Sequence, residues 1–432
     1  MQIIDPFNYI NDNDGSRHMH AEGVSLNFLA TKAGTPLYVY SYQALTERYN
    51  TLKKVLPDSL ICYSVKANGN ISIVNSLAQL GAGADVVSGG ELQRAITAGV
   101  ETKKIVFSGV GKTELEMAAA LSANILQINI ESEPELELLN KISLEKGVIA
   151  PVAVRVNPDV DANTHDKIST GRQEDKFGIP YKDAIYLYSK IKELKGLESV
   201  GLATHIGSQL ISLEPFRKAF KKLTQLALTL KTSGHNIRSL DFGGGLGINY
   251  SGELEPNIND YAKIIKAAGD EAGCQVILEP GRFIAGPSGI LLTRVIYVKR
   301  TEARTFAIVD CAMNDFMRPT LYNAWHKVEL VSQQKNKVDT ETVDIVGPIC
   351  ESGDFIAKDR DLPPLSSGTL LSIKDAGAYG ASMSSYYNSR LPAGEVIVSG
   401  NEWDIIKRRQ SLEDLIGLEN FAHWQKNSVK EQ

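Results

Sequence analysis

The chain has 432 residues, of which 43% are hydrophobic and 22% charged, and this is enough apolar material for the cores of two domains. A net charge of -5 with both signs interspersed argues against a general nucleic-acid binder and against a protein of anionic membrane surfaces. The four cysteines are far apart and form no C-x-x-C motif, so neither a disulfide framework nor a zinc site is indicated, and a cytoplasmic location is expected. Neither a signal peptide nor a membrane-spanning run is recognisable, so we expect no membrane partner and no nucleic acid.

Taken in chain order, residues 1–33 predict a loose start of turns and short apolar pieces. Residues 35–40 predict a strand, and Ser41 is a plausible N-cap for the helix that follows. From there one unit repeats, in which a short apolar strand ends in small or polar residues and leads into an amphipathic helix. The predicted strands are residues 60–65, 84–87, 104–107, 126–130, 152–156, 200–204, 239–242 and 275–278. The predicted helix starts are an N-cap at Asn70, capping boxes at Thr113 and Ser132, and a long helix that opens at Ser212.

Strands that alternate with helices predict a parallel sheet, and eight such units predict an α/β fold, the TIM (β/α)8 barrel, over residues 34–284. An open doubly wound sheet is the alternative. The connection between residues 156 and 200 is unusually long, and we expect it to cover the barrel mouth. Residues 290–299, 305–309, 343–346, 369–373 and 395–399 then predict strands without long helices between them. They indicate a second, mostly antiparallel β domain of Greek-key or sandwich type, formed by residues 1–33 and 285–432 with a short helix after Ser411.

Reactive side chains stand at the carboxyl ends of the predicted barrel strands, where barrels place their chemistry. Lys66 follows the first strand, where partial desolvation is expected to lower the pKa of its ammonium group and favour Schiff-base chemistry. Glu279 follows the eighth strand, and a carboxylate beside a pyridine nitrogen keeps that nitrogen protonated. His205 follows the sixth strand and could stack on such a ring. Taken singly, Lys66 could be a snorkelling surface lysine and His205 an ordinary core histidine.

Glycines follow the last two predicted strands, at residues 243–245 and at Gly281. Glycines at such ends let backbone N–H groups approach a phosphate. A dinucleotide-binding loop is the alternative, but two glycine-bearing ends on the last two strands match the phosphate site common in TIM barrels. A lysine, a phosphate cradle and a glutamate around one cavity indicate pyridoxal 5'-phosphate as the cofactor. The scattered histidines show no metal-ligand spacing.

From residue 35 to residue 398 the sequence resembles the fold type III pyridoxal-phosphate-dependent decarboxylases and, within that family, the branch that acts on diaminopimelate. The resemblance rests on YSVKAN, GADVVSGGEL, THDKISTG-x-x-x-DKFG, HIGSQ, LDFGGGLG, EPGRFI, MNDFMRPTLY, PICESGDFIAKDRDLP and DAGAYGASMSSYYNSR. It implies an alanine-racemase-like barrel with a β domain that includes the N-terminal strands, and a homodimer with its sites at the interface.

The resemblance also implies residue roles. Lys66 forms the Schiff base with the cofactor, His205 stacks on the ring, and Glu279 bonds the pyridine nitrogen. The phosphate is held by Ser208, Gly244, Gly245 and the backbone of Gly281 and Arg282, with Tyr379 also near the cofactor and the substrate. The substrate carboxylate is bound by Arg282, Arg318 and Tyr322. Across the interface, Cys350 donates a proton and Glu351 binds the distal amino-acid end, although a free cysteine is more often a buried structural thiol.

The implied activity is decarboxylation of meso-2,6-diaminopimelate to L-lysine, the last step of lysine biosynthesis. The nearest rival is a decarboxylase of ornithine, arginine or a carboxylated polyamine precursor. A racemase of the same fold tends to place arginine at the pyridine nitrogen, so Glu279 argues against that reaction. A non-catalytic relative is the third alternative, and the intact Lys66, Cys350 and Glu351 argue against it.

Overall fold

The structure is a computed structural model that describes residues 5–12, 15–161, 175–252, 254–335 and 338–425. Its N-terminal part is ordered into regular elements, so the prediction of a loose start is wrong. These elements are β1 (Phe7–Asn11), β2 (Arg17–Ala21), β3 (Val24–Ser25), α1 (Leu26–Ala33), β4 (Leu37–Ser41) and α2 (Tyr42–Val55). Each of the strands β1 to β3 is short, and β2 also pairs with residues more than 300 positions away, which a local sequence pattern does not reveal.

Eight parallel strands then close into a barrel, in which the last strand pairs with the first. The strands are β5 (Leu60–Ser64), β6 (Gly83–Val86), β7 (Ile105–Phe107), β8 (Gln127–Ile130), β9 (Ala150–Asn157), β11 (Leu197–Ala203), β12 (Ser239–Asp241) and β13 (Gln275–Leu278). A two-residue strand, β10 (Ile179–Pro180), pairs with the end of β9. The TIM-barrel prediction is therefore confirmed, and the open doubly wound sheet is excluded because β13 pairs with β5.

Helices connect the barrel strands on the outside: α3 (Ile71–Ala78), α4 (Gly89–Thr97), α5 (Glu114–Ser122), α6 (Glu133–Lys146), α7 (Ala184–Glu193), α8 (Glu214–Thr232) and α9 (Ile258–Ala272). The predicted caps of α2 and α3 and the capping box at Thr113 are confirmed, because each side chain accepts a backbone N–H of its helix. The prediction of a capping box at Ser132 is only half confirmed. Ser132 accepts the Glu135 N–H, but the Glu135 carboxylate accepts the N–H of Glu131 instead of the Ser132 N–H.

The second domain is built on a large, mostly antiparallel sheet of order β19-β18-β15-β14-β4-β21-β22. After the short helix α10 (Arg282–Ala285), its elements are β14 (Gly289–Arg300), β15 (Thr305–Val309), α11 (Arg318–Tyr322), β16 (Val328–Leu330), β17 (Ser332–Gln333), β18 (Glu341–Val346), β19 (Phe355–Leu362), β20 (Leu370–Ile373), β21 (Gly394–Ser399), β22 (Glu402–Lys407) and α12 (Leu412–Ile416). All five strands predicted in this region are confirmed. β4 pairs with β14 and β21 although it lies within residues 34–284, and the division of the chain between two domains stays a prediction.

The apolar core runs continuously from the barrel into the second domain, and a smaller cluster packs the N-terminal strands against β4, β14 and β21. Within the described ranges, no helix is long and apolar enough to cross a bilayer. The expected cover of the barrel mouth by residues 157–199 rests mainly on residues 162–174, which lie outside the described residues, as does the predicted polar tail after residue 425.

Candidate active site

Lys66 lies at the carboxyl end of β5, in the short 3-10 turn Val65–Ala67. Its Nζ is 2.7 Å from Oδ2 of Asp85, a fully buried residue of β6 that also accepts the Ser64 hydroxyl at 2.7 Å. Burial acts to lower the pKa of Lys66, but the carboxylates of Asp85 and Glu279 outweigh it and hold that pKa above its ordinary value. The prediction of a lowered pKa is therefore wrong in this structure, because an acid from the neighbouring strand pairs with the amine.

Two buried carboxyl groups meet at the ends of β12 and β13, where Asp241 and Glu279 hydrogen-bond to each other. The Ser108 hydroxyl donates to Glu279 Oε1 at 3.3 Å, and the Asn129 amide donates to Asp241 Oδ2 at 3.1 Å. Burial and the charges of Asp241 and Asp85 raise the pKa of Glu279 well above its ordinary value, and burial raises the pKa of Asp241 to about 6. The pair therefore keeps a proton, since two adjacent buried carboxylates repel each other.

His205 is held neutral at the end of β11. Its Nδ1 accepts the N–H of Gly244 at 3.2 Å, so the ring carries its proton on Nε2. Burial, followed by the charges of Arg155 and Lys66, lowers its pKa to about 3. A neutral imidazole fixed in this way at the rim is suited to stacking against a flat ring, which is the role that the sequence suggested.

The glycines after β12 form a cradle that other residues could not form. Gly243 and Gly245 have φ angles of +66° and +97°, and a Cβ on Gly244 would lie 2.2 Å from the carbonyl oxygen of Glu279. A Cβ on Gly281, which precedes α10, would lie 3.0 Å from the side chains of Ser64 and Ala67. Backbone and side chains from the two strand ends therefore approach each other closely here, in the arrangement expected of a phosphate site.

Arg282 reaches from α10 to both sides of this cradle. Its Nη2 donates to the Ser208 hydroxyl at 3.0 Å and its Nη1 donates to the Tyr250 hydroxyl at 2.8 Å. The guanidinium carbon lies 4.8 Å from the ring centre of Tyr379, whose N–H bonds the Ala67 carbonyl at 2.7 Å. The structure thus brings Ser208, Arg282 and Tyr379 together, and it adds Tyr250, which the sequence did not single out.

Arg318 stands at the start of α11 and lies 5.1 Å from the ring centre of the same Tyr250, while Tyr322 ends this helix. Arg282 and Arg318 are both 6% exposed. No carboxylate in the described part of the chain forms an ion pair with either guanidinium. Two buried cations that have no counter-ion among the described residues are suited to binding anionic groups from outside the chain.

Cys350 and Glu351 lie on an exposed turn between β18 and β19. The N–H of Cys350 bonds the Asn388 side-chain oxygen at 3.1 Å, and the Tyr387 hydroxyl donates to Glu351 at 3.3 Å. Among the described residues, neither Cys350 nor Glu351 contacts Lys66. The turn is, however, joined to α11, because the Thr320 hydroxyl donates to the carbonyl oxygen of Gly353 at 2.6 Å.

The residues around Lys66 fit pyridoxal phosphate. The amine, the carboxyl of Glu279, the ring of His205 and the glycine cradle stand at the carboxyl ends of four neighbouring barrel strands, β11, β12, β13 and β5. The buried Nε of Arg282 has no partner in the described structure. A cavity of about 470 Å³ opens beside Lys66 and Tyr379, but Glu279, His205 and the glycine cradle are not among the described residues that line it. Asp85, Asp241 and Tyr250 are site residues to which the sequence assigned no role. An acid inside an otherwise apolar strand was the available signal for Asp85, whereas the long loop after β12 offered none for Tyr250.

Comparison with known proteins gives relatives over nearly the full chain. A family model described as the pyridoxal binding domain of pyridoxal-dependent decarboxylases matches residues 42–286. The diaminopimelate decarboxylase of Vibrio cholerae is 46% identical over 96% of this chain and 99% of its own length, and that of Pseudomonas aeruginosa is 47% identical over 93% and 97%. A crystal structure of diaminopimelate decarboxylase from Helicobacter pylori with L-lysine has a TM-score of 0.87 at 41% identity, covering 91% of this chain and 98% of that one. The corresponding L-lysine complex from M. jannaschii has a TM-score of 0.90 at 36% identity, covering 97% and 99%.

Proposed function

The chain belongs to the pyridoxal-dependent decarboxylases, and we propose that it converts meso-2,6-diaminopimelate to L-lysine and CO2, the last step of lysine biosynthesis. One observation carries the choice of substrate. Arg282 and Arg318 are two buried guanidiniums, 5.8 and 5.1 Å from the ring centre of Tyr250, that form no ion pair with the described residues. Diaminopimelate brings two carboxylates to the site, whereas ornithine and arginine bring one. A site that must neutralise an additional anion rejects the simpler amino acids, because its own buried cation would stay unpaired.

Pyridoxal phosphate, when bound, supplies a ring that accepts the electron pair left on the substrate Cα as the bond to the carboxylate breaks. Lys66 would hold this cofactor through Nζ. Asp85, whose carboxylate lies 2.7 Å from Nζ, would orient the amine and stabilise its protonated form. Glu279 would bind the ring nitrogen, and its raised pKa and its bond to Asp241 suit it to sharing a proton there.

The remaining steps concern the two ends of the substrate. The buried guanidiniums orient the carboxylate groups, and the walls around Tyr250 and Tyr379 exclude water from the reacting bond. CO2 leaves, and a proton must then take its place on Cα. We propose that the Cys350 thiol donates that proton and that Glu351 binds the distal ammonium group of the substrate.

We further propose that Cys350 and Glu351 complete the site of a second copy in a homodimer. Their exposed position on a turn held by Asn388 and Tyr387 supports this assignment. The test mixes two inactive variants, Lys66→Ala and Cys350→Ala, after dissociation of each. Mixed dimers carry one intact site, so about a quarter of the wild-type activity is expected to return. If the subunits have exchanged and no activity returns, Cys350 acts in the site of its own chain.

A cytoplasmic location is part of the proposal, and four free cysteine thiols support it.

The substrate is tested by measuring CO2 release from diaminopimelate, ornithine, arginine and a carboxylated polyamine precursor, with Lys66→Ala as the inactive control. We expect diaminopimelate to have the highest kcat/KM by at least about a hundredfold, because the rival substrates leave one buried arginine unpaired. Faster release from ornithine than from diaminopimelate would transfer the assignment to the rival decarboxylase.

A further inference from the structure

A histidine that the reaction does not use directly stands behind Arg318. His326 lies between α11 and β16 with none of its surface exposed. Its Nε2 is 3.2 Å from Arg318 Nε, and its Nδ1 is 2.9 Å from the carbonyl oxygen of Lys374. The two ring nitrogens thus connect the start of α11 to the end of β20.

These two contacts fix the tautomer of the ring. A carbonyl oxygen can only accept a hydrogen bond, so Nδ1 carries the proton and donates to Lys374. The Nε of a guanidinium can only donate, so Nε2 is the acceptor for Arg318. Burial and the charge of Arg318 hold the pKa of His326 well below its ordinary value, which keeps the ring neutral.

The ring is also fixed sideways by packing. Phe316 and Tyr250 lie edge-to-face against it, with ring centres 4.7 and 4.9 Å away. The charges of Arg282 and Arg360 also lower the pKa of His326. Lys374 Nζ pairs with Asp5 at 3.0 Å, and Arg360 donates to the His326 carbonyl oxygen. His326 therefore has one orientation and one protonation state, and both serve Arg318.

The consequence concerns the terminal nitrogens of Arg318. Its Nε is occupied by His326, whereas Nη1 and Nη2 form no hydrogen bond with the described residues. A guanidinium held from behind in this way presents the two parallel N–H donors that bind a carboxylate in a bidentate manner. Because the long arginine side chain is fixed beforehand, less rotamer entropy is lost when the carboxylate binds.

We propose that His326 is a positioning residue that orients Arg318 toward the distal carboxylate of the substrate and thereby makes the site specific for an amino acid with a second carboxylate. This inference rests on the proposed function, and it names the residue that sets the substrate class. His326 takes no part in breaking or forming bonds.

The test compares His326→Leu and His326→Gln in the holoenzyme, with His235→Leu as the control for loss of a buried histidine at the amino end of β12. Glutamine can still accept from Arg318 and donate to Lys374, whereas leucine can do neither. The readouts are kcat and KM for diaminopimelate, and inhibition constants for L-lysine, which keeps the distal carboxylate, and for 1,5-diaminopentane, which has no carboxylate.

For His326→Leu we expect KM and the L-lysine inhibition constant to rise about tenfold to a hundredfold, as for loss of a hydrogen bond to a charged group. We expect kcat to change less than about threefold, with no change for 1,5-diaminopentane. His326→Gln and His235→Leu should resemble the wild type. If the leucine variant does not fold, His326→Asn, which is too short to reach both partners, should show the same selective loss.

Equal weakening of all three ligands would overturn the inference, because it indicates general damage to the fold. A fall in kcat at constant KM, or a glutamine variant as impaired as leucine, would also overturn it. If the wild type releases no CO2 from diaminopimelate, the proposed function fails, yet the comparison of L-lysine with 1,5-diaminopentane still decides the role of His326. A wild type that binds neither ligand overturns both proposals.

Discussion

Glu279 and Asp241 share a proton, and we therefore predict that Glu279→Gln stabilises the cofactor-free protein although it lowers the activity of the holoenzyme. In Glu279→Gln the amide oxygen can still accept from Ser108, and the amide nitrogen can donate to Asp241 as the protonated acid does. The variant therefore keeps the hydrogen bonds while it removes the proton that the folded chain must take up. Activity of the holoenzyme should fall, because the group assigned to the pyridine nitrogen can no longer exchange a proton.

The magnitude follows from proton linkage. When folding raises the pKa of a carboxyl group, the folded chain holds a proton that the unfolded chain releases. The contribution of that group to the free energy of unfolding is fully present below the unfolded pKa. It falls as the pH rises from the unfolded pKa toward the folded pKa. Each pH unit in that window costs about 1.4 kcal/mol. Asp241, whose pKa is raised to about 6, titrates in both proteins and largely cancels in the difference.

The assay is urea unfolding of both cofactor-free proteins at about pH 5, 6 and 7. We expect the variant to gain stability relative to the wild type as the pH rises, by up to about 1.4 kcal/mol per pH unit. Glu116→Gln is the control. Hydrogen bonds from Gly89 and Thr113 lower the pKa of Glu116, so its titration lies below this window and the difference should stay flat. A difference between Glu279→Gln and the wild type that is independent of pH would refute the shared proton.

Three further predictions follow from single contacts. Asp85→Asn removes the carboxylate 2.7 Å from Lys66, so the pKa of that amine should fall and the apo-protein should bind pyridoxal phosphate faster at neutral pH, as measured by the growth of its visible absorbance. Cys350→Ala should lower kcat by about a hundredfold or more with little change in KM, as measured by CO2 release, since proton donation acts in the transition state. Gly244→Ala should weaken cofactor binding by at least about tenfold, as measured by titration of the apo-protein, because the new Cβ lies 2.2 Å from a backbone oxygen.

Each of these predictions has a contradicting outcome. Cofactor uptake that is unchanged in Asp85→Asn would mean that the ion pair does not control the amine. Wild-type turnover in Cys350→Ala would require another proton donor. Gly111→Ala is the matched control for Gly244→Ala, because a Cβ there meets nothing within 4 Å, and equal loss of cofactor affinity in both would remove the steric argument.

Local sequence patterns were sufficient for most of the fold. The barrel strands are buried on both faces and read as continuous apolar runs, so all eight were found within a few residues of their bounds. Strands such as β1 and β22 were missed because they are short or half-exposed and are held by pairing with distant segments. Sheet pairing across hundreds of residues leaves no local periodicity to detect.

What the sequence by itself determined is the barrel and the chemical groups at its rim, because in a parallel barrel every carboxyl strand end faces the same side. Only the tertiary structure decided how those groups act on one another. Pairing of β5 with β6 sets Asp85 against Lys66, and pairing of β12 with β13 sets Asp241 against Glu279. The first of these contacts reverses the expected direction of the lysine pKa. Electrostatic interactions depend on distances of a few ångströms and on burial, and neither quantity is encoded in sequence spacing.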